Sequence, residues 1–101
     1  MIKAWPTKDP DAALPHWFNW SDWSAIESGG DIASYEVDID GPPDSALVAY
    51  DIAQGTGEYL NYIQVWLRGG TEGETYTVRC RVVLEDGQTD DASRDLTIAS
   101  H

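Results

Sequence analysis

Three tryptophans recur at every third position of WFNWSDW (residues 17–23), with Phe18, the chain's one phenylalanine, set among them. Their indole faces can pack a core, stack on sugar rings or anchor a protein interface. Spacing divides the three. Trp20 follows Phe18 by two residues, so in an extended segment both share a face and are expected inside. Trp17 and Trp23 fall off that face. Trp66 stands opposite Val65 and Leu67 in YIQVWL and is expected to stay partly exposed, in the manner of an interface anchor.

Other residues with chemical potential are sparse. His16 and His101 are the only imidazoles and Cys80 the only thiol. Nucleophilic catalysis needs a base beside the nucleophile and a third group to orient it. Cys80 falls on the apolar side of its segment, as a packing residue does. Paired carboxylates for glycoside hydrolysis are available by count, but so small a domain has little room for a cleft around a sugar chain. Gly69, Gly70 and Gly73 lack the lysine that completes a phosphate loop. No enzyme and no cofactor is expected. Calcium enters only through the carboxylates of Asp38, Asp40 and Asp44 and of the segment EDGQTDD (85–91). These match no twelve-residue ligand pattern, so acidic turns facing water are the expectation. A sugar platform built from Trp66, Tyr62, Tyr59 and Trp23 is the alternative to a protein interface.

Charge narrows the partners. Eighteen acids against six bases give a formal charge of -12 over 101 residues. Such a field repels nucleic-acid phosphates and anionic lipids and favours solubility or a basic protein surface. A lone cysteine rules out an internal disulfide, and MIKAWPTKDPD lacks the apolar run of a secretory signal. No stretch reaches the length of a membrane span. The expected setting is a cytoplasm.

Positioning these residues falls to segments that alternate in the two-residue rhythm of strands. SYEVDI (34–39), LVAYDI (47–52), YIQVWL (62–67) and TYTVRCRVVL (75–84) carry it, the last most clearly through Tyr76, Val78, Cys80, Val82 and Leu84. A strand through His16, Phe18 and Trp20 precedes them. Asp86-Gly87 predicts a hairpin into a final strand around RDLTIA. SDWSAIESGG predicts a turn or short helix, with Ser21 as cap and Gly29-Gly30 as stop. Six or seven such strands predict an all-β sandwich over residues 15–101. Residues 1–14, with two prolines before Leu14 and both lysines, predict an extended arm that lies along the domain or reaches a neighbour.

LRGGTEGETYTVRCRVVLEDG (67–87) resembles the matching stretch of fibronectin type III and other immunoglobulin-like domains. The likeness implies an immunoglobulin-like sandwich, with Tyr76 as the tyrosine whose hydroxyl satisfies backbone at the corner before its strand.

A wider resemblance spans nearly the whole chain. KDPDAAL (8–14), NWSDW (19–23), GDIA (30–33), VWLRGGTEGETYTVRC (65–80) and DGQTDD (86–91) are similar, in this order, to a family of small phage virion proteins described as fibre–tail adaptors. Asn19 stands where that family's pattern has an aspartate. The resemblance implies a non-enzymatic connector between a fibre and the tail or neck of a particle, present in symmetric copies in a ring. The expected contact residues for such a connector are Trp5, seated in a neighbour's pocket, Lys8 and Asp9 as rim charges, and Trp17, Asn19, Trp23 and Trp66.

Overall fold

Alternation becomes architecture most plainly in TYTVRCRVVL, where Tyr76, Val78, Cys80, Val82 and Leu84 are all buried and the residues between them are not. The computed structural model describes residues 3–42 and 46–99. In chain order the elements are β1 (Lys3–Ala4), β2 (Ala13–Asn19), α1 (Ser24–Glu27), β3 (Ile32–Asp40), β4 (Leu47–Gln54), a 3-10 turn (Gly57–Tyr59), β5 (Tyr62–Gly69), β6 (Thr75–Leu84) and β7 (Thr89–Thr97). Two sheets form, ordered β1-β7-β6-β3 and β2-β5-β4. Every pairing is antiparallel except β1 on β7. The chain is thus an all-β sandwich, and its order is consistent with an immunoglobulin-like arrangement in which a short first strand runs parallel to the last.

The core fills the space between the sheets. Phe18 from β2 and Ile63, Val65 and Leu67 from β5 meet Val78, Cys80 and Val82 from β6 and Leu96 from β7, all with no exposed surface. Each such aliphatic or aromatic side chain contributes roughly 1.5–3 kcal/mol by leaving water. Trp20 lies just beyond β2 and is buried with Phe18. At the corner between β5 and β6 the Thr71 N–H donates to the Tyr76 hydroxyl at 3.0 Å, as the immunoglobulin-like resemblance implies. That corner needs glycine: Gly69 and Gly70 hold φ of +78° and +99°, and a Cβ on Gly69 would lie 2.3 Å from the Ala46 carbonyl oxygen.

Two expectations are revised. Ser21 does not cap α1, because its N–H and hydroxyl both donate to Asn19 Oδ1 at 2.9 and 2.6 Å, and Trp23 takes the cap position without a side-chain bond. The helix stops at Gly29 as expected, with φ of +99°. β7 begins at Thr89, well before RDLTIA. Its inward positions Asp90, Ala92 and Arg94 carry no apolar alternation, and Arg94 instead lays its guanidinium 5.5 Å from the Phe18 ring centre.

Residues 3–8 lie along their own domain: β1 extends the β7 edge, and the N–H groups of Trp5 and Lys8 donate to the Asp95 and Thr97 carbonyls. A turn at Asp9–Ala12 then carries the chain across to the other sheet, where Ala13 and Leu14 already pair with β5. The segment closes one side of the sandwich. Trp5 sits half-buried there, 5.1 Å from the Phe18 ring and 4.6 Å from the His16 ring. Lys8 is 1% exposed, buried rather than out at a rim. Its ammonium donates to the Asp9 and Gly69 carbonyls, both at 2.8 Å, and ties the arm to the β5–β6 corner.

Burial holds Lys8 below the usual lysine value, against the pull of Asp9 and Asp11. The sign of the linkage follows. Between the folded and unfolded pKa the unfolded chain binds more protons, so stability rises with pH through that alkaline window. Urea melts of wild type and Lys8→Met should show the wild type gaining on the variant as pH climbs toward 10.5. Near neutral pH the variant should lose about 1–3 kcal/mol, because two part-buried carbonyls lose their donor. Trp5→Ala should lose about 2 kcal/mol, less than a fully buried tryptophan, visible as a Tm drop on the order of 10 °C.

β4 carries a bulge between Tyr50 and Ala53, where Asp51 adopts φ of +48°. Aspartate tolerates this left-handed conformation better than most residues, and glycine better still. Asp51→Gly should therefore melt at or above wild type, whereas Asp51→Val should cost on the order of 1–2 kcal/mol. Equal melts for the two would mean the bulge relaxes.

Candidate protein-docking face

Burial of Ile63, Val65 and Leu67 turns the alternate residues of β5 outward. Tyr62, Gln64, Trp66 and Arg68 therefore line the outer face of the three-stranded sheet. Register places Asn19 beside Tyr62, Trp17 beside Gln64 and Pro15 beside Trp66 on one flank. On the other flank Tyr50 lies beside Trp66 and Val48 beside Arg68.

The rings on this face contact one another. Trp17 and Tyr62 meet edge to face at 6.3 Å, and Tyr59, from the 3-10 turn, meets Tyr62 at 5.5 Å. These three line an open cavity of about 470 Å³. Tyr50 and Trp66 lie 6.3 Å apart at 34°, and the Arg68 guanidinium covers Tyr50 at 5.6 Å. Trp17 is 44% exposed and Tyr59 52%, in a loop pinned by the Gln54 amide donating to the Leu60 carbonyl at 2.7 Å.

The outer face of the other sheet has the opposite character. Ser34, Glu36, Asp38 and Asp40 stand out from β3, Thr77, Arg79 and Arg81 from β6, and Asp91 and Asp95 from β7. Many of these pair among themselves. Arg79 meets Asp40 at 2.9 Å, Arg81 grips both oxygens of Asp91 at 2.7 and 3.1 Å, and the Thr77 hydroxyl donates to Asp95 at 2.8 Å. The bond from Arg81 holds the Asp91 carboxyl below the ordinary range.

The sheet edges resist strand addition. Pro15 removes a donor from β2, the Asp51 bulge breaks β4, the exposed side chains of β3 are largely acids, and β1 covers part of β7.

The residues expected to meet a partner thus divide. Trp17, Asn19 and Trp66 share the aromatic face. Trp5, Lys8 and Asp9 lie on the closing edge, where Trp5 and Lys8 engage their own domain. Trp23 starts α1 and packs 5.6 Å from Trp20. Asn19 accepts both Ser21 bonds, a turn role that an aspartate fills equally well. Of the aromatics considered for sugar stacking, Tyr62 meets both Trp17 and Tyr59, Trp66 meets Tyr50, and Trp23 stands elsewhere. Tyr50 is the residue that alternation alone did not place. Counted by twos it shares a side with Ile52, but the bulge intervenes, so Tyr50 sits beside Trp66 while Ile52 packs against the core.

The groups with catalytic or metal chemistry stand apart from this face. Burial pushes the Cys80 thiol up to about 11, partly offset by the nearby Trp20 indole. That indole N–H reaches no partner in hydrogen-bond geometry among the described residues. Burial also lowers His16, whose Nδ1 lies 3.2 Å from the Leu14 carbonyl oxygen. Among the described residues no three His, Cys, Asp or Glu side chains cluster as metal ligands. Asp86 bonds the N–H and side-chain amide of Gln88. Asp44 and His101 lie outside the described residues. No described helix is long and apolar enough to cross a membrane.

A comparison with curated proteins finds no match. A protein-family model does match, over residues 8–97, and that span runs from the buried Lys8 to the last residue of β7. The chain belongs to the family of that model, the podophage GP4 fiber-tail adaptor protein gp77 family.

Proposed function

We propose that this chain is a non-enzymatic connector in the tail or neck region of a podophage particle, holding a fibre through protein–protein contacts made by the aromatic face. The observation that carries this reading is the contrast between the two outer faces. One presents Trp17, Tyr50, Tyr59, Tyr62 and Trp66 in two sets of contacting rings, and the other pairs several of its charged groups within itself. Protein interfaces concentrate their energy in tryptophan, tyrosine and arginine, and this face supplies all three. Other virion proteins are its partners, and assembly takes place in the host cytoplasm. Copies occupy a ring around the tail, and neither nucleic acid nor membrane takes part. Asp9 and Trp23, at the margins of the domain, are secondary contacts.

The carbohydrate alternative has one observation in its favour, the cavity lined by Trp17, Tyr59 and Tyr62. Tyr62 meets its two neighbours there at 82° and 76°, however, so it forms no flat platform with either of them.

Trp17→Ala and Trp66→Ala should each weaken incorporation by about 2 kcal/mol, roughly thirtyfold, with Tm within a few degrees of wild type. Glu36→Ala, on the opposite face, should incorporate normally. Quantitative peptide mass spectrometry of purified particles reads all three. Normal incorporation of both tryptophan variants would discard the face. A shift in tryptophan emission with host-surface glycans would favour the carbohydrate alternative.

A further inference from the structure

The geometry points to a particular occupant for the aromatic face: a different protein whose apolar patch is bordered by lysine and arginine, rather than a second copy of this chain. This inference rests on the docking role proposed for that face. The interior of the face is uncharged apart from Arg68, which lies over Tyr50. Its border is acidic. Asp22 follows the end of β2, Glu58 lies in the turn that carries Tyr59, and Asp51 stands in the bulge beside Tyr50, all three exposed.

The other cations whose side chains are described are committed elsewhere. Arg79 and Arg81 pair with Asp40 and Asp91 on the far face. Arg94 covers Phe18 and donates to the Ser93 carbonyl, and Lys8 is buried. A second copy meeting this face would therefore bring three border acids and one arginine against the same set. The overall charge of -12 reinforces that mismatch. A partner with an apolar centre and basic margin satisfies both the rings and the border, and complementary margins set orientation and encounter rate.

The test places a photocrosslinker, benzoyl-phenylalanine, at position 17 or 66 of the full chain, and at position 36 or 38 as a far-face control. The purified proteins are added to particles assembled without their own copy of this chain, irradiated at about 0.05 and about 0.5 M salt, and mapped by peptide mass spectrometry. Crosslinks from 17 and 66 should join a different virion protein, at peptides where Lys and Arg outnumber Asp and Glu. Their yield should fall several-fold at the higher salt, since screening weakens opposite-charge attraction. Crosslinks between two copies of this chain, acidic target peptides, or a yield that rises with salt would overturn the inference while leaving the docking face in place. Crosslinks from 36 or 38 alone, or none from 17 and 66, would overturn the docking face itself and the inference with it.

Discussion

Strand β5 is gripped between β2 and β4 with Ile63, Val65 and Leu67 fully buried on one side. That burial decides where every ring of the docking face stands. A slip of one residue would carry Tyr62, Gln64, Trp66 and Arg68 into the core and expel the three aliphatics. Gln64 and Arg68 would then enter a space that offers them no partners, at several kcal/mol for the guanidinium alone. The register is therefore held by the inner face, and the outer aromatics are placed by it without needing much packing of their own. This separation lets a small domain carry exposed tryptophan and tyrosine without endangering its fold.

The edges complete the same logic. A sandwich with open strands invites pairing with any chain that passes. Here Pro15, the Asp51 bulge and the acids of β3 blunt three edges, and β1 lies over part of the fourth. With strand addition discouraged, contact is directed to side chains on a face, where shape and charge discriminate between partners. The arm adds rigidity to this frame. Lys8 links it to the β5–β6 corner, and Trp5 bridges toward Phe18 on the sheet that carries the docking face.

Much of this was legible in the sequence because period-two alternation is a direct report of two-sided burial. β3, β4, β5 and β6 fall where alternation places them, and Tyr76 forms the corner bond that its neighbours imply. The failures lie where something that alternation does not report decides the placement, whether a local turn such as Ser21 on Asn19 or an interaction distant in sequence. Arg94 occupies an inward position on β7 because an aromatic ring from β2 receives it. Lys8 is buried because two carbonyls meet its ammonium, against the strong tendency of lysine to stay in water. The bulge at Asp51 shifts the count, and Tyr50 with it. For the docking face, Trp17 and Trp66 were visible as residues off the core side. Only the register of β2 and β4 on β5 shows that they belong together with Tyr50 and Tyr62.

Net charge sets a limit on how such a protein assembles, and its size decides the argument. Two bodies of charge -12 with centres 24 Å apart, the middle dimension of the domain, repel by about 25 kcal/mol in unscreened water. Screening reduces this to about 11 kcal/mol in about 0.01 M salt and to about 1 kcal/mol at about 0.15 M. At physiological salt the global repulsion is therefore no larger than the contribution of one good aromatic anchor, about 2 kcal/mol. Overall charge alone does not forbid neighbouring copies around a tail. What discriminates at contact distance is the local border of the face, where Asp22, Asp51 and Glu58 meet whatever is docked with little solvent between. The global field acts earlier, during encounter, where it draws basic surfaces inward and turns like-charged copies aside. An acidic shell around an aromatic face thus separates two tasks: the shell selects which surface approaches, and the rings determine how long it stays.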